Sequence, residues 1–266
     1  MPYAAVNGIE LYYRVDGDRH GNAPWLVLSN SLGSDLSMWT PQVAALSKHF
    51  RVLRYDTRGH GRSEAPHGPY TIDHLAGDVL GLFDTLKIAR AHFCGISMGG
   101  LTGIALAARH PQRIGRLVLS NTAARIGSPE IWVARAARAR NEGMAVLSES
   151  VLPRWFSADF IAREPLVFAF IRDVFVQTDR HGYASNCEAI DATDLHAEAP
   201  LITAPALVIS GTHDLAATPE QGRALAQAIP GARYVELDAA HISNIEQADT
   251  FTRTVLDFLQ APDPQA

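Results

Sequence analysis

The chain is expected to fold as an α/β protein, a mostly parallel twisted sheet flanked by helices and carrying a helical cap insertion. Three features predict this. Short apolar runs without alternation, such as Trp25-Leu26-Val27-Leu28-Ser29 and Ala206-Leu207-Val208-Ile209-Ser210, suit a sheet buried on both faces. Segments of helical spacing separate them, as in Ile72, Leu75, Ala76, Val79, Leu82, Phe83 and Leu86. This alternation stops near Ala123 and resumes only after Pro200, so a helical insertion is expected within one sheet. The domain reading is a core of residues 1–122 and 200–266 with a helical cap over 123–199. With 266 residues, 47% hydrophobic and 19% charged, the chain can bury a large core.

In chain order, residues 3–6 and 9–15 alternate and join through Asn7-Gly8, which predicts an opening hairpin; the second run breaks at Asp16-Gly17-Asp18. The run at 25–29 feeds the loop Asn30-Ser31-Leu32-Gly33-Ser34-Asp35 and a helix over about 38–46. A strand at 51–55 leads into Asp56-Thr57-Arg58-Gly59-His60-Gly61-Arg62-Ser63, and a helix over 72–86 follows. Strands at 91–96 and 117–120 bracket an Ala-rich helix ending at Arg109. Within the insertion, Pro129, Pro153 and Pro165 divide short helices. The core then closes with a strand at 206–210, a helix at 219–228, a strand at 234–237 and a helix at 250–259. The tail 261–266 holds two prolines and is expected to fray.

The net charge of −5 provides no basic field for nucleic acid or an anionic membrane, and an anionic substrate would need a local cationic pocket. Residues 1–8 lack the marks of a signal peptide, and the densest apolar run, 166–171, is too short to span a membrane, so a cytoplasmic location is expected. Cys94 and Cys187 form neither a disulfide framework nor zinc spacing, and Cys94 is expected in the core. The oligomeric state is left open.

The chemistry centres on Gly95-Ile96-Ser97-Met98-Gly99, a G-x-S-x-G sequence between a strand and a helix. A turn that sharp strains the serine backbone and lifts its hydroxyl onto an exposed elbow, where the Met98 amide faces any developing negative charge. Ser97 is therefore the candidate nucleophile. It needs a base, and His241, in the loop after the last strand, falls on the same sheet edge. Asp214, after the strand at 206–210, is the candidate acid that orients the imidazole. Asp238 is the rival acid, although only three residues separate it from His241, and His213 reads as a loop residue. The second oxyanion donor is expected from the loop after the first buried strand, Leu32 N–H or else Ser31 N–H. The block at 56–63 has neither Walker spacing nor H-E-x-x-H, and reads as a tight structural turn. No metal or organic cofactor is expected.

The order Ser97, Asp214, His241 resembles the α/β-hydrolase superfamily over nearly the whole chain, and the block at 56–63 is similar to its D-x-R-G-x-G-x-S segment. Many relatives carry His-Gly at the oxyanion loop; here Asn30-Ser31-Leu32-Gly33 stands there, followed by Met38-Trp39. With Gly95-Ile96-Ser97-Met98-Gly99-Gly100 and Ala240-His241-Ile242-Ser243-Asn244, these blocks look like the 3-oxoadipate enol-lactonases of aromatic-acid degradation. The resemblance implies hydrolysis of a small enol-lactone with a free carboxylate, the β-ketoadipate step that yields 3-oxoadipate. Such a substrate needs a cation above Ser97. In the cap, Trp132 and Arg135 share a helix face while Arg138 and Arg140 turn away, making Arg135 and Trp132 the candidate substrate contacts; the alternative is a solvated basic face. A general carboxylesterase, a cofactor-free perhydrolase, a C–C bond hydrolase and a triad-bearing receptor remain the competing readings.

Overall fold

The computed structural model describes residues 2–17 and 21–262. Asp18 of the expected turn and the tail from 263 onward lie outside them. Eight strands form one sheet in the order β1-β2-β4-β3-β5-β6-β7-β8. The hairpin β1 (Tyr3–Val6) and β2 (Ile9–Asp16) is antiparallel, turning through Asn7 and Gly8, both at positive φ. The strand β2 pairs antiparallel with β4 (Arg51–Tyr55), and every later pairing is parallel. The parallel strands β3 (Trp25–Ser29), β5 (Ala91–Ile96), β6 (Ile114–Ser120) and β7 (Ala206–Gly211) are buried almost throughout, as suits their largely apolar, non-alternating sequences. Among the parallel strands, β8 (Arg233–Leu237), at the sheet edge, is the half-buried one.

Helix α1 (Thr40–Leu46) follows β3. It is preceded by a 3-10 turn at Leu36–Trp39 where the sequence predicts one helix from 38, because the Asp35 side chain accepts the Ser37 N–H and starts a tighter turn. Helix α2 (Ile72–Thr85) opens on a capping box between Thr71 and His74. Helix α3 (Met98–Arg109) is buried almost throughout, and α2 packs on it. Helix α9 (Pro219–Ala228) matches its expected bounds, with Thr218 as cap and proline at its first position. The short α10 (Ser243–Glu246) leads into α11 (Ala248–Leu259), which buries Phe251, Val255, Phe258 and Leu259 on one face and packs beside α1.

Between β6 and β7 the described residues hold helices only: α4 (Pro129–Glu142), α5 (Met144–Val151), α6 (Ala158–Arg163), α7 (Pro165–Gln177) and α8 (Arg180–Asp191). Pro129 and Pro165 start α4 and α7, and Pro153 sits in the 3-10 turn Leu152–Arg154. The broadest contact in the insertion is between α4 and α8. Helix α8 meets the core at a seam of two glycines: a Cβ on Gly59 would lie 2.7 Å from the Gly182 Cα.

Strand order places the site. The chain runs from β3 outward to β4, then returns past β3 to β5, so the loops after β3 and β5 flank the point where the sheet reverses direction. Open parallel sheets form their crevice at such a point. The loops after β4, β3, β5, β6, β7 and β8 therefore stand side by side along one rim.

Candidate active site

Ser97 is the first residue past β5 and has φ 56° and ψ −115°, a conformation costing a non-glycine residue about 1–3 kcal/mol. Packing compels it. A Cβ on Gly95 would lie 2.1 Å from the Gly99 carbonyl oxygen, and one on Gly99 would lie 2.3 Å from that of Ser29, so the elbow closes only on glycine. The Ser97 amide donates to Ser120 O at 3.0 Å, and Thr122 Oγ1 donates to Ser97 O at 2.9 Å, which tie the elbow to the end of β6.

The loop after β7 brings Asp214 to His241, which follows β8: the ring Nδ1–H donates to Asp214 Oδ2 at 2.8 Å, and both side chains are buried. Asp214 Oδ1 caps its own loop by accepting from Ala216 N–H (2.7 Å) and Ala217 N–H (3.1 Å). Burial pushes the Asp214 carboxyl up, but the charge and hydrogen bond of His241, with the Asn121 and Ala216 donors, outweigh it and hold the group below the usual carboxylate range. The rival Asp238 turns outward to pair with His213 at 2.8 Å in solvent.

One cavity is lined by Ser31, Leu32, Ser97, Ile126, Trp132, Arg135, Val151, Arg154, Trp155, Ala216 and His241. It thus gathers Ser97, His241, Leu32, Trp132 and Arg135 as the sequence predicts, with Asp214 behind the ring. The Arg135 guanidinium lies 4.8 Å over the Trp132 ring, whose Nε1–H donates to Ile126 O at 2.6 Å. Arg138 and Arg140 point elsewhere, to Glu142 and Glu188. Met98 N–H, at the start of α3, and Leu32 N–H are without a partner among the described residues, whereas Ser31 N–H meets Met38 Sδ at 3.4 Å. That occupied amide favours Leu32 over Ser31 as second donor. A strained serine, an imidazole backed by a buried carboxylate, the open Leu32 amide at the same cavity and the open Met98 amide next to Ser97 in the chain together provide the layout for acyl transfer.

Residues 24–142, from β3 through α4, match the α/β hydrolase fold family. Among curated proteins, 3-oxoadipate enol-lactonase 2 of Acinetobacter baylyi is 43% identical over 232 residues, 87% of both chains. The chain is an α/β-hydrolase. Enol-lactonase 1 of the same organism is 39% identical over 240 residues, 90% of both chains. The crystal structure of the enol-lactonase from Burkholderia xenovorans LB400 superimposes with a TM-score of 0.97 at 78% identity, covering 98% of this chain and all of that one. The sheet and helices of this α/β-hydrolase accord with that fold, and the resemblance to the enol-lactonases is borne out by these relatives.

Two features of the hydrolase site escape a reading of the sequence. Arg154 is a second arginine lining the cavity, and its Nη2 donates to Leu215 O at 2.8 Å, next in sequence to Asp214. It sits in a 3-10 turn with no periodic signature, so only the fold reveals its direction. Asn121, just past β6 with φ 48°, donates to Asp214 Oδ2 (3.0 Å) and Ala240 O (3.1 Å) and accepts from Ser120 and Ser243 hydroxyls. Its position at a strand end on the rim was the available signal.

Proposed function

We propose that this α/β-hydrolase opens 3-oxoadipate enol-lactone to 3-oxoadipate through an acyl-enzyme on Ser97. The observation that carries the reading is a cavity lined by Ser97, His241 and two arginines, Arg135 and Arg154, in a chain whose relatives at 43%, 39% and 78% identity are enol-lactonases. The lactone carries a free carboxylate, and an Arg fork is the donor set that such a group prefers. Arg135 holds that carboxylate, Trp132 walls the ring, and the helical residues 123–199 act as the cap that closes the site.

His241, oriented by Asp214, takes the Ser97 proton as the hydroxyl attacks the lactone carbonyl. Leu32 and Met98 amides receive the oxyanion, each such donor contributing about 3 kcal/mol to the transition state. Collapse breaks the ring C–O bond, and the enolate leaving group takes the proton from His241 and tautomerises to the ketone, which makes reversal unfavourable. Water, deprotonated by His241, then attacks the acyl carbon; the C–Oγ bond breaks, the second carboxylate leaves, and the proton on His241 returns to Ser97.

Among the described residues no helix is long and apolar enough to cross a membrane; we propose a cytoplasmic enzyme whose partner is its small anionic lactone. The test is turnover of freshly generated 3-oxoadipate enol-lactone against a neutral ester of similar size. Preference for the lactone is the expected result; faster cleavage of the neutral ester would replace this reading with a general carboxylesterase.

A further inference from the structure

The block 56–63 does more than turn the chain. Following β4, it stands on the far side of the oxyanion loop from Ser97, and it grips that loop at two points. Asp56 Oδ1 accepts the Leu36 N–H at 2.8 Å, while its Oδ2 accepts Arg62 N–H at 2.9 Å. His60 Nε2 accepts the Gly33 N–H at 2.8 Å. An accepting Nε2 leaves the proton on Nδ1, which donates to Arg58 O at 3.2 Å. The ring is 1% exposed, and burial pushes it down to about 4, so it stays a neutral acceptor near pH 7.

We propose that His60 is a positioning residue for the oxyanion hole: by holding the Gly33 N–H it fixes the peptide next to the one that carries the Leu32 N–H, and so aims that donor at the lactone carbonyl. The proposal rests on the serine-hydrolase reading above. Gly33 has φ 80° and no side chain to anchor it, and a Cβ there would lie 2.7 Å from the Phe175 ring. Its loop is instead located by hydrogen bonds. Asn30 donates to Tyr55 O (2.7 Å) and accepts from Trp39 Nε1–H (2.9 Å) at one end, and Asp56 holds the other. His60 grips the middle, beside the amide the chemistry uses. Without it, a buried N–H loses its partner, and the loop relieves that cost by rotating peptides.

The test compares His60→Gln, whose amide oxygen reaches about as far as Nε2, with His60→Met, which fills similar space without a strong acceptor. Sites are counted by fluorophosphonate labelling of Ser97. Loss of one oxyanion donor costs about 10²–10³ in kcat, so a misaimed one is expected to lower kcat per labelled site in His60→Met at least about tenfold, with KM within about threefold of wild type. His60→Gln should recover most of that loss, and the affinity of a trifluoromethyl ketone should fall in step with kcat. A His60→Met enzyme with wild-type kcat per labelled site would overturn the clamp while leaving the serine mechanism intact. Absence of labelling at Ser97 in the wild type would instead remove the mechanism itself. Should His60→Met fail to fold, NMR of the wild type decides. A scalar coupling across the Gly33 N–H···Nε2 bond, retained with the trifluoromethyl ketone bound, supports the clamp, and no coupling overturns it.

Discussion

The two walls of the cavity are built on different principles. The core wall carries Ser97, Leu32, Asp214 and His241 at the ends of strands whose register is set by the sheet, and each loop is then tied to its neighbour: Ser97 N–H to Ser120, Asn121 to Asp214 and Ala240, Gly33 to His60. The helical wall carries Trp132, Arg135, Arg154 and Trp155 on helices and turns that meet by side-chain packing, including the edge-to-face contact of Trp155 with Phe175 at 5.6 Å. Hydrogen-bonded loops hold reacting groups to within fractions of an ångström, whereas packed helices define shape and charge. On the mechanism proposed above, chemistry belongs to the first wall and choice of substrate to the second. The walls join where Ile242 N–H donates to Trp155 O at 3.0 Å and where Glu246 takes both the Ser157 and Ala240 amides.

Substitutions on the core wall should strike kcat, and those on the helical wall KM. The largest effect is expected from Ser97→Ala, a fall in kcat of about 10⁶-fold, read in a continuous assay of lactone consumption. Asp214→Asn leaves the ring without a carboxylate and should cost about 10⁴-fold. Asp238→Asn is its control, since that carboxylate pairs with His213 in solvent, and it should leave kcat unchanged.

Acid stability sharpens the comparison within the core wall. His60 is pushed from 6.5 down to about 4 by burial, against the pull of the Arg58 carbonyl and the Asp35 and Asp179 carboxylates, so the unfolded chain binds the extra proton between those values. Its contribution to stability is full above pH 6.5 and is lost as pH falls toward 4. Asp56, raised by burial from 3.8 to about 6, has the opposite sign: the folded state holds the extra proton, and stability declines as pH rises across that range. The two nearly offset each other. In His60→Gln only the Asp56 slope remains, and wild type should therefore gain on the variant by on the order of 3 kcal/mol between pH 4 and 6.5, measured by urea unfolding. A constant difference would contradict the buried neutral ring.

On the helical wall, Arg135→Ala should raise KM by about 10- to 100-fold with kcat nearly kept, as expected for a charged hydrogen bond made equally in ground and transition states. Arg154→Ala should act in the same direction but less, because Arg154 also spends a donor on Leu215 O. Unchanged KM in both would move the carboxylate site elsewhere.

What was legible in the sequence follows the same division. Strands β3 and β7 announce themselves as apolar runs, and Ser97, Asp214 and His241 could be placed because a parallel sheet sends all its strand ends to one edge. Trp132 and Arg135 were readable as neighbours since helical spacing sets them on one face. Arg154 was not, because a 3-10 turn between helices has no period to betray its direction. The block at 56–63 was legible as a turn and silent as a clamp: that β4 lies beside β3 is a fact of sheet order, and no local pattern encodes it. Met38 and Trp39, read from the sequence only as part of a resemblance, accept from Ser31 N–H and donate to Asn30 at the oxyanion loop.

The glycine pair at 59 and 182 has a practical corollary for anyone redesigning this catalyst. Backbone touches backbone there, so even an alanine on either partner would force helix α8 and the loop after β4 to move apart. Chimeras that borrow the helical layer from another hydrolase should therefore be chosen first for a bare backbone at that crossing, and only then for the residues that greet the substrate.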